Sequence, residues 1–277
     1  MIPFEFDYYK PATIQEATEA YCQLEAAGKE PVYYGGGSEL ISMARLGNLH
    51  FGSVIDIKAI PECKVLEYDR DNQLVLGSAL TLSEICESKQ FPLLEKTAGR
   101  IADHTMQCKI TLGGNLASTI LYRETVLPLL VADSRITIAG KDGIRDFPIS
   151  RIFDKRLNLP KGSFVVRVST EKGVVGSPYF HIKKTRNEKI DYPLITVAGI
   201  KTSGRLRIAF SGLLPYPFRS IKVENILNEF DDETVCAMEV VNFLSDKILS
   251  DINGSSEYRK FELKNTIINV LETMKDV

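Results

Sequence analysis

Tryptophan is absent from the 277 residues, histidine occurs three times and cysteine five times. No apolar run approaches the roughly 20 residues that a membrane-crossing helix needs. An excess of one charge is missing as well: 34 Lys and Arg stand against 36 Asp and Glu, for a formal net charge of −2. Without an overall basic field, neither nucleic acid nor a membrane surface is an expected partner. The opening "MIPFEFDYYKP" has no basic stretch followed by an apolar one, so a cytoplasmic protein is expected. Cys22, Cys63, Cys86, Cys108 and Cys236 lie far apart, with no C-x-x-C pair and no histidine at metal-ligand spacing. That argues against a zinc site or an iron–sulfur cluster held by this chain alone and leaves reduced structural thiols. His50, His104 and His181 are too scattered to suggest a triad with any serine.

The composition that is present, 44% hydrophobic and 25% charged, is that of a soluble globular chain with room for two or three small domains. Thr13-x-x-Glu16 reads as a capping box, and Ile14, Ala17, Tyr21, Leu24 and Ala27 follow at helical spacing until Gly28. A strand "PVYY", a glycine turn, a short helix "ELISMARLG" and a strand "SVIDIK" complete a small β–α–β unit over residues 1–60. Over 61–172, "KVLEY" and "QLVLGS" flank the hairpin turn "DRDN", and Thr81-x-x-Glu84 caps a second helix. "FPLLEKTAGRIADH" supplies a third helix, another contains "TVLPLLVA", and "RITIA" and "SFVVRVS" are strands. After a linker at "GVVGSP", residues 173–277 read as three antiparallel strands ("YFHIKK", "LITVAGIK", "LRIAFSG") and two amphipathic helices. The expected class is α+β, not doubly wound.

Two glycine stretches carry the chemistry. In "YYGGGSELIS" three consecutive glycines remove every Cβ between a strand and a helix, so backbone N–H groups can converge on an anion. It is no P-loop, since no Gly-Lys-Ser/Thr follows Gly37, and no Rossmann fingerprint, since Leu40 stands where the third glycine belongs. "TLGGN" is a second glycine pair with a hydroxyl and a carboxamide at its ends. Two such loops can clasp one extended dinucleotide.

The ordered series "YYGGGSELISMARLG…VIDIKAIPE", "LVLGSALTLSEI", "TLGGNLAS", "GLLPYPFRSIKVEN" and "SSEYRKFELKNTI" resembles the FAD-binding medium subunit of the molybdenum hydroxylases, the family of xanthine and carbon monoxide dehydrogenases, over nearly the whole chain. The resemblance implies a two-subdomain FAD-binding fold of the p-cresol methylhydroxylase/vanillyl-alcohol oxidase (PCMH) type followed by a small C-terminal α+β domain. It implies that Gly35, Gly36, Gly37, Ser38, Glu39 and Leu40 hold the FAD pyrophosphate, with the Glu39 carboxylate turned away toward a ribose hydroxyl or solvent. Thr111, Leu112, Gly113, Gly114 and Asn115 would approach the phosphates and ribityl chain, and Lys183 the flavin ring; a turn-forming Asn115 and a solvated Lys183 are the alternatives. The chain departs from the family's pattern at Gln107 and Cys108, and in "STILYRETVLP", where Glu124 or Thr125 replaces an aspartate and Tyr122 stacks or gates.

The chain would then supply no acid, base or nucleophile. Its FAD would pass electrons to NAD+ or another acceptor, while partner subunits carry molybdopterin and 2Fe-2S clusters in a complex open to higher-order assembly. A stand-alone flavin oxidoreductase and a cofactor-free scaffold are the rival readings. Gly36→Val or Gly114→Val is expected to lose FAD and leave the fold largely intact.

Overall fold

The computed structural model describes residues 2–187, 190–230 and 232–275. The chain begins with β1 (Asp7–Tyr9), α1 (Ile14–Ala26), β2 (Pro31–Tyr34), α2 (Ser38–Arg45) and β3 (Ser53–Asp56). The three strands form a parallel sheet in the order β1-β3-β2. Strand β1 was not expected: its three residues are all exposed, and its pairing with Ser53–Ile55 is remote in sequence. Helix α1 buries Ala17, Tyr21 and Leu24, and its Thr13 side chain accepts from the Glu16 N–H. The Glu16 carboxylate reaches back to the Ala12 N–H at 2.8 Å, one residue earlier than a capping box requires. The strand expected over "SVIDIK" stops at Asp56 because the Asp56 carboxylate accepts from the Lys58 N–H and starts a single 3₁₀ turn at Ile57–Ala59.

The middle of the chain adds β4 (Leu66–Tyr68), β5 (Gln73–Gly77), α3 (Leu82–Ser88), α4 (Pro92–Ala98), α5 (His104–Gln107), α6 (Leu112–Ala117) and α7 (Val126–Val131). It continues with β6 (Arg135–Gly140), β7 (Gly143–Pro148), α8 (Ile149–Ile152), the small hairpin β8 (Phe153–Asp154) and β9 (Arg156–Leu157), β10 (Phe164–Glu171) and α9 (Lys172–Val175). The second sheet runs β4-β5-β10-β6-β7, antiparallel throughout. Thr81 and Glu84 close a reciprocal capping box at α3. The helix expected over "FPLLEKTAGRIADH" ends at Ala98. The turn beyond it is held by the Gln107 amide, which donates to the carbonyls of Gly99, Ile101 and Ala102.

The chain ends with β11 (Tyr179–Thr185), β12 (Pro193–Thr202), β13 (Arg205–Ser211), β14 (Phe218–Arg219), α10 (Ile221–Glu229), α11 (Glu233–Leu244) and α12 (Ser256–Met274). The third sheet has four strands in sequential order, one more than expected, and α10 is a third helix beside the expected two. Strand β12 is buried on both faces because its alternation serves two cores. Ile195 and Val197 pack with Cys236, Val240, Leu263 and Ile267 of the helices, whereas Ala198 and Ile200 join α7 and the second sheet. A third cluster likewise joins Ala17 and Ile55 to Phe164 and Val166. We therefore propose that segments 1–60, 61–172 and 173–277 are subdomains of one packed body, since buried clusters cross both boundaries.

Candidate functional site

At the end of β2, Gly35–Gly37 turns the chain into α2. Gly37 takes φ +70°, and an added Cβ there would stand 2.1 Å from the Tyr34 ring. As N-cap residue it offers no side-chain oxygen, and α2 has no side-chain cap. The first-turn N–H groups, which a helix cannot satisfy itself, thus keep their partial positive charge. The turn is fixed from the side. Lys58 Nζ donates to the Gly35 carbonyl at 2.9 Å and to Asp56 at 2.7 Å and lies 4.3 Å over the Tyr34 ring. Burial pushes the Asp56 carboxyl up, but hydrogen bonds from Lys58 and Tyr8 outweigh it and hold the pKa below its ordinary value. Sequence reasoning missed Lys58. The signal was the parallel pairing of Tyr34 with Asp56, which puts the end of β3 beside the glycine turn.

The second stretch is not a loop. Thr111 is the N-cap of α6, and Gly113 and Gly114 lie in its first turn. Its donors are spent inside the protein: Leu112 N–H on the Leu80 carbonyl at 2.9 Å, Gly113 N–H on the Ser78 carbonyl at 2.8 Å, and Gly114 N–H on Thr111 Oγ1 at 3.2 Å. The two stretches also touch each other. A Cβ on Gly36 would lie 1.6 Å from the Lys109 carbonyl oxygen, and one on Gly35 would lie 2.7 Å from Thr111 Oγ1. One on Gly113 would meet Ser78 Cβ at 2.6 Å. At these positions the missing side chain lets protein backbone approach protein, so the expectation that Gly36→Val spares the fold does not survive the packing.

Glu39 is half-buried and engaged by the protein itself. Its carboxylate accepts from the Thr119 N–H at 2.9 Å and from the Thr119 hydroxyl, tying α2 to the segment after α6. The Ser38 carbonyl accepts from Ser42 Oγ at 2.8 Å, and Leu40 is half-buried. Asn115 is buried, with Oδ1 accepting from Thr125 Oγ1 at 2.6 Å. Next to Thr125, the Glu124 carboxylate accepts from Lys183 Nζ at 2.8 Å and Thr196 Oγ1 at 2.6 Å. Lys183 Nζ also donates to the Arg100 carbonyl at 2.8 Å. Lys183 is therefore an enclosed ion-pair partner, not a solvated strand lysine. Burial pushes the Glu124 carboxyl above its ordinary value, against the pull of the Lys183 ammonium. Tyr122 stacks on Tyr192 at 4.9 Å, and its hydroxyl accepts from Asn253 Nδ2 at 3.1 Å. So Tyr122, Glu124, Thr125 and Lys183 gather at the junction with the third sheet, linked to the glycine seam through Asn115. Among the described residues no group of three or more His, Cys, Asp or Glu is placed to hold a metal ion, and no helix is long and apolar enough to cross a membrane.

The chain as a whole is similar to known proteins. The chain is 23% identical to the xanthine dehydrogenase FAD-binding subunit of Escherichia coli O157:H7, over 98% of this chain and 94% of that one. It is 22% identical to the carbon monoxide dehydrogenase medium chain of Hydrogenophaga pseudoflava, over 94% and 93%. Its fold superposes on a chain of quinoline 2-oxidoreductase from Pseudomonas putida 86 with a TM-score of 0.84 at 20% identity, covering 99% of this chain and 97% of the other. Residues 4–170 match the family described as FAD binding domain in molybdopterin dehydrogenase. The chain belongs to that family of oxidoreductase FAD-binding domains, and its class is α+β.

Proposed function

We propose that this chain is the FAD-carrying subunit of a molybdenum hydroxylase-type complex, taking electrons from iron–sulfur clusters in one partner and handing them to NAD+ or another acceptor in the cytoplasm. A molybdenum-binding subunit would oxidise the substrate. The observation that carries this reading is the α2 N-terminus: an αL glycine, no side-chain cap, and a turn pressed against the Lys109–Thr111 backbone. Such a terminus favours a diphosphate through its N–H groups and dipole. Gly35, Gly36, Gly37, Ser38 and Leu40 would bind the diphosphate. Lys58 sets the turn's direction by holding the Gly35 carbonyl. Thr111, Gly113 and Gly114 buttress the turn from below, and Asn115, locked by Thr125, borders the neighbouring part of the nucleotide. Tyr122 would border the ring side, while Glu124 and Lys183 hold the third sheet against it. Bound FAD supplies the electron-carrying chemistry; the protein supplies position, charge and exclusion of water.

Purification of the full chain with its accompanying proteins tests this. The expected product is yellow, with flavin absorbance at about 450 nm, equimolar FAD, and molybdenum and iron in the co-purifying chains. A folded chain that takes up no FAD from excess cofactor overturns the reading. Flavin without any molybdenum- or iron-bearing companion leaves a stand-alone flavin oxidoreductase instead.

A further inference from the structure

Arg123, between α6 and α7, is buried with only 5% of its surface exposed. Its guanidinium donates to the Ser118 carbonyl at 3.2 Å and to the Lys155 carbonyl at 2.5 Å, bridging the end of α6 to the tip of the β8–β9 hairpin, and it lies 5.8 Å from the centre of the Phe153 ring. Nε is buried with no hydrogen-bond partner among the described residues. Arg219 and Arg259 are also enclosed, and each meets a carboxylate; Arg123 meets none among the described residues. Two carbonyls satisfy two donors, but they do not neutralise a guanidinium, which keeps its proton. Burial lowers the Arg123 pKa, the Glu39 carboxylate opposes that shift, and Arg156 of the hairpin reinforces it. Glu39 lies in the first turn of α2 and is held by Thr119, the neighbour of Ser118. The bond to Ser118 therefore keeps an unpaired buried cation within electrostatic reach of the α2 N-terminus.

We propose that Arg123 is a positioning residue for the cofactor, a buried counter-charge to the FAD diphosphate that acts across the Ser118–Thr119 segment; this rests on the FAD reading above. The N-terminus of α2 supplies roughly half a positive charge, against a diphosphate with two negative charges and the Glu39 carboxylate beside it. A further cation is what that balance lacks. An enclosed charge with no carboxylate partner is costly on its own, and its field is screened less than that of a surface charge, so an arriving anion gains what the empty site does not use. Arg123 acts through this field and not by contact, since Ser118, Phe153 and Lys155 enclose it. The rival role is a strap that only ties α6 to the hairpin. A strap needs the planar fork that reaches both carbonyls, whereas a counter-charge needs only the positive charge.

The test is a calorimetric titration of the full-chain apoprotein with FAD in Arg123→Met, Arg123→Gln and Arg123→Lys. The two uncharged variants should bind FAD about tenfold more weakly than wild type. Arg123→Lys should recover most of that loss, although an ammonium cannot reproduce the fork between the two carbonyls. Arg123→Gln keeps a donor for one carbonyl, so it carries the comparison should Arg123→Met not fold. Uncharged variants that bind FAD within about twofold of wild type overturn the proposal. So does an Arg123→Lys variant that binds no better than the uncharged ones, which makes Arg123 a strap. A wild-type chain that takes up no FAD overturns the underlying reading and this one with it, whereas wild-type binding that the variants leave unchanged overturns this one alone.

Discussion

The two seams that hold this molecule together are built from different materials. The glycine seam is main chain on main chain: Gly36 leaves room for the Lys109 carbonyl, and Gly113 for Ser78. The seam to the third sheet is side chain on side chain. It contains the Glu124–Lys183 pair, whose side chains are 5% and 1% exposed, Arg219 bridging Asp133 and Glu224 at 2.6 Å each, and a core that runs from α7 into β12 and β13. Side chains fill a junction and satisfy one another. Bare backbone cannot, so the first seam holds its parts close and still presents the uncapped N-terminus of α2. The first kind of junction leaves backbone N–H groups uncovered, and the second fixes how the sheets pack.

Breaking the main-chain seam should have the largest effect. Gly36→Val forces a side chain to within 1.6 Å of a backbone oxygen, and the expected cost is about 5 kcal/mol or the loss of soluble protein, read as the urea midpoint. A variant that unfolds like the parent yet loses its flavin would show that Gly36 meets the cofactor and not Lys109. On the other seam, Lys183→Met leaves the Glu124 carboxylate buried without its cation, for an expected loss of about 3–5 kcal/mol. Adding Glu124→Gln should recover most of it. Failure of the double variant to recover would mean that the seam depends on the shape of these side chains and not on their charge.

The same contrast governs what the sequence discloses. Local signals were legible: the runs flanking the turn "DRDN" are β4 and β5, in register Leu66 to Leu76, and Thr81 and Glu84 announce α3. Strand β1 was not legible, because three exposed residues have no pattern until β3 lies beside them. Helix α6 hid behind its two glycines, which are poor helix formers and are there for close packing. Strand β14, two residues long, lies below any periodicity. Of the site, both glycine stretches and the residues after them were legible as types, yet the roles depended on partners far along the chain. Lys183 was read as reaching the flavin ring and Glu124, or Thr125, as replacing an aspartate, and nothing within either segment says that Glu124 and Lys183 meet each other across 59 positions. Lys58 was invisible until β2 and β3 were known to be parallel neighbours.

Acid should weaken the side-chain seam before the main-chain one. Burial, then the positive charges of Arg100, Lys183 and Lys96, lower the His181 pKa from 6.5 to about 4. The unfolded chain binds this proton from about pH 6.5 downward, whereas the fold resists it until about pH 4. Stability is therefore full above that window and falls as pH drops through it, by on the order of 3 kcal/mol at the acid end. Asp56 and Glu84, whose pKa values are lowered in the fold, give up stability in the same direction at lower pH. The measurement is consequently the difference in urea stability between wild type and His181→Gln at pH 7 and pH 5. Equal slopes in the two proteins would remove His181 as the acid-sensitive group.

The smallest effect probes the carboxylate in the first turn of α2, beside the proposed diphosphate position. Glu39 lies in the first turn, where its carboxylate opposes a diphosphate even though Thr119 holds it aside through two hydrogen bonds. Glu39→Gln keeps an acceptor for Thr119 and removes the charge. FAD should then bind more tightly by about 0.3–1 kcal/mol, roughly two- to fivefold, and the gain should shrink as salt is raised. Calorimetric titration of the apoprotein at low and high ionic strength measures both. Weaker binding in Glu39→Gln would mean that the carboxylate itself grips the nucleotide.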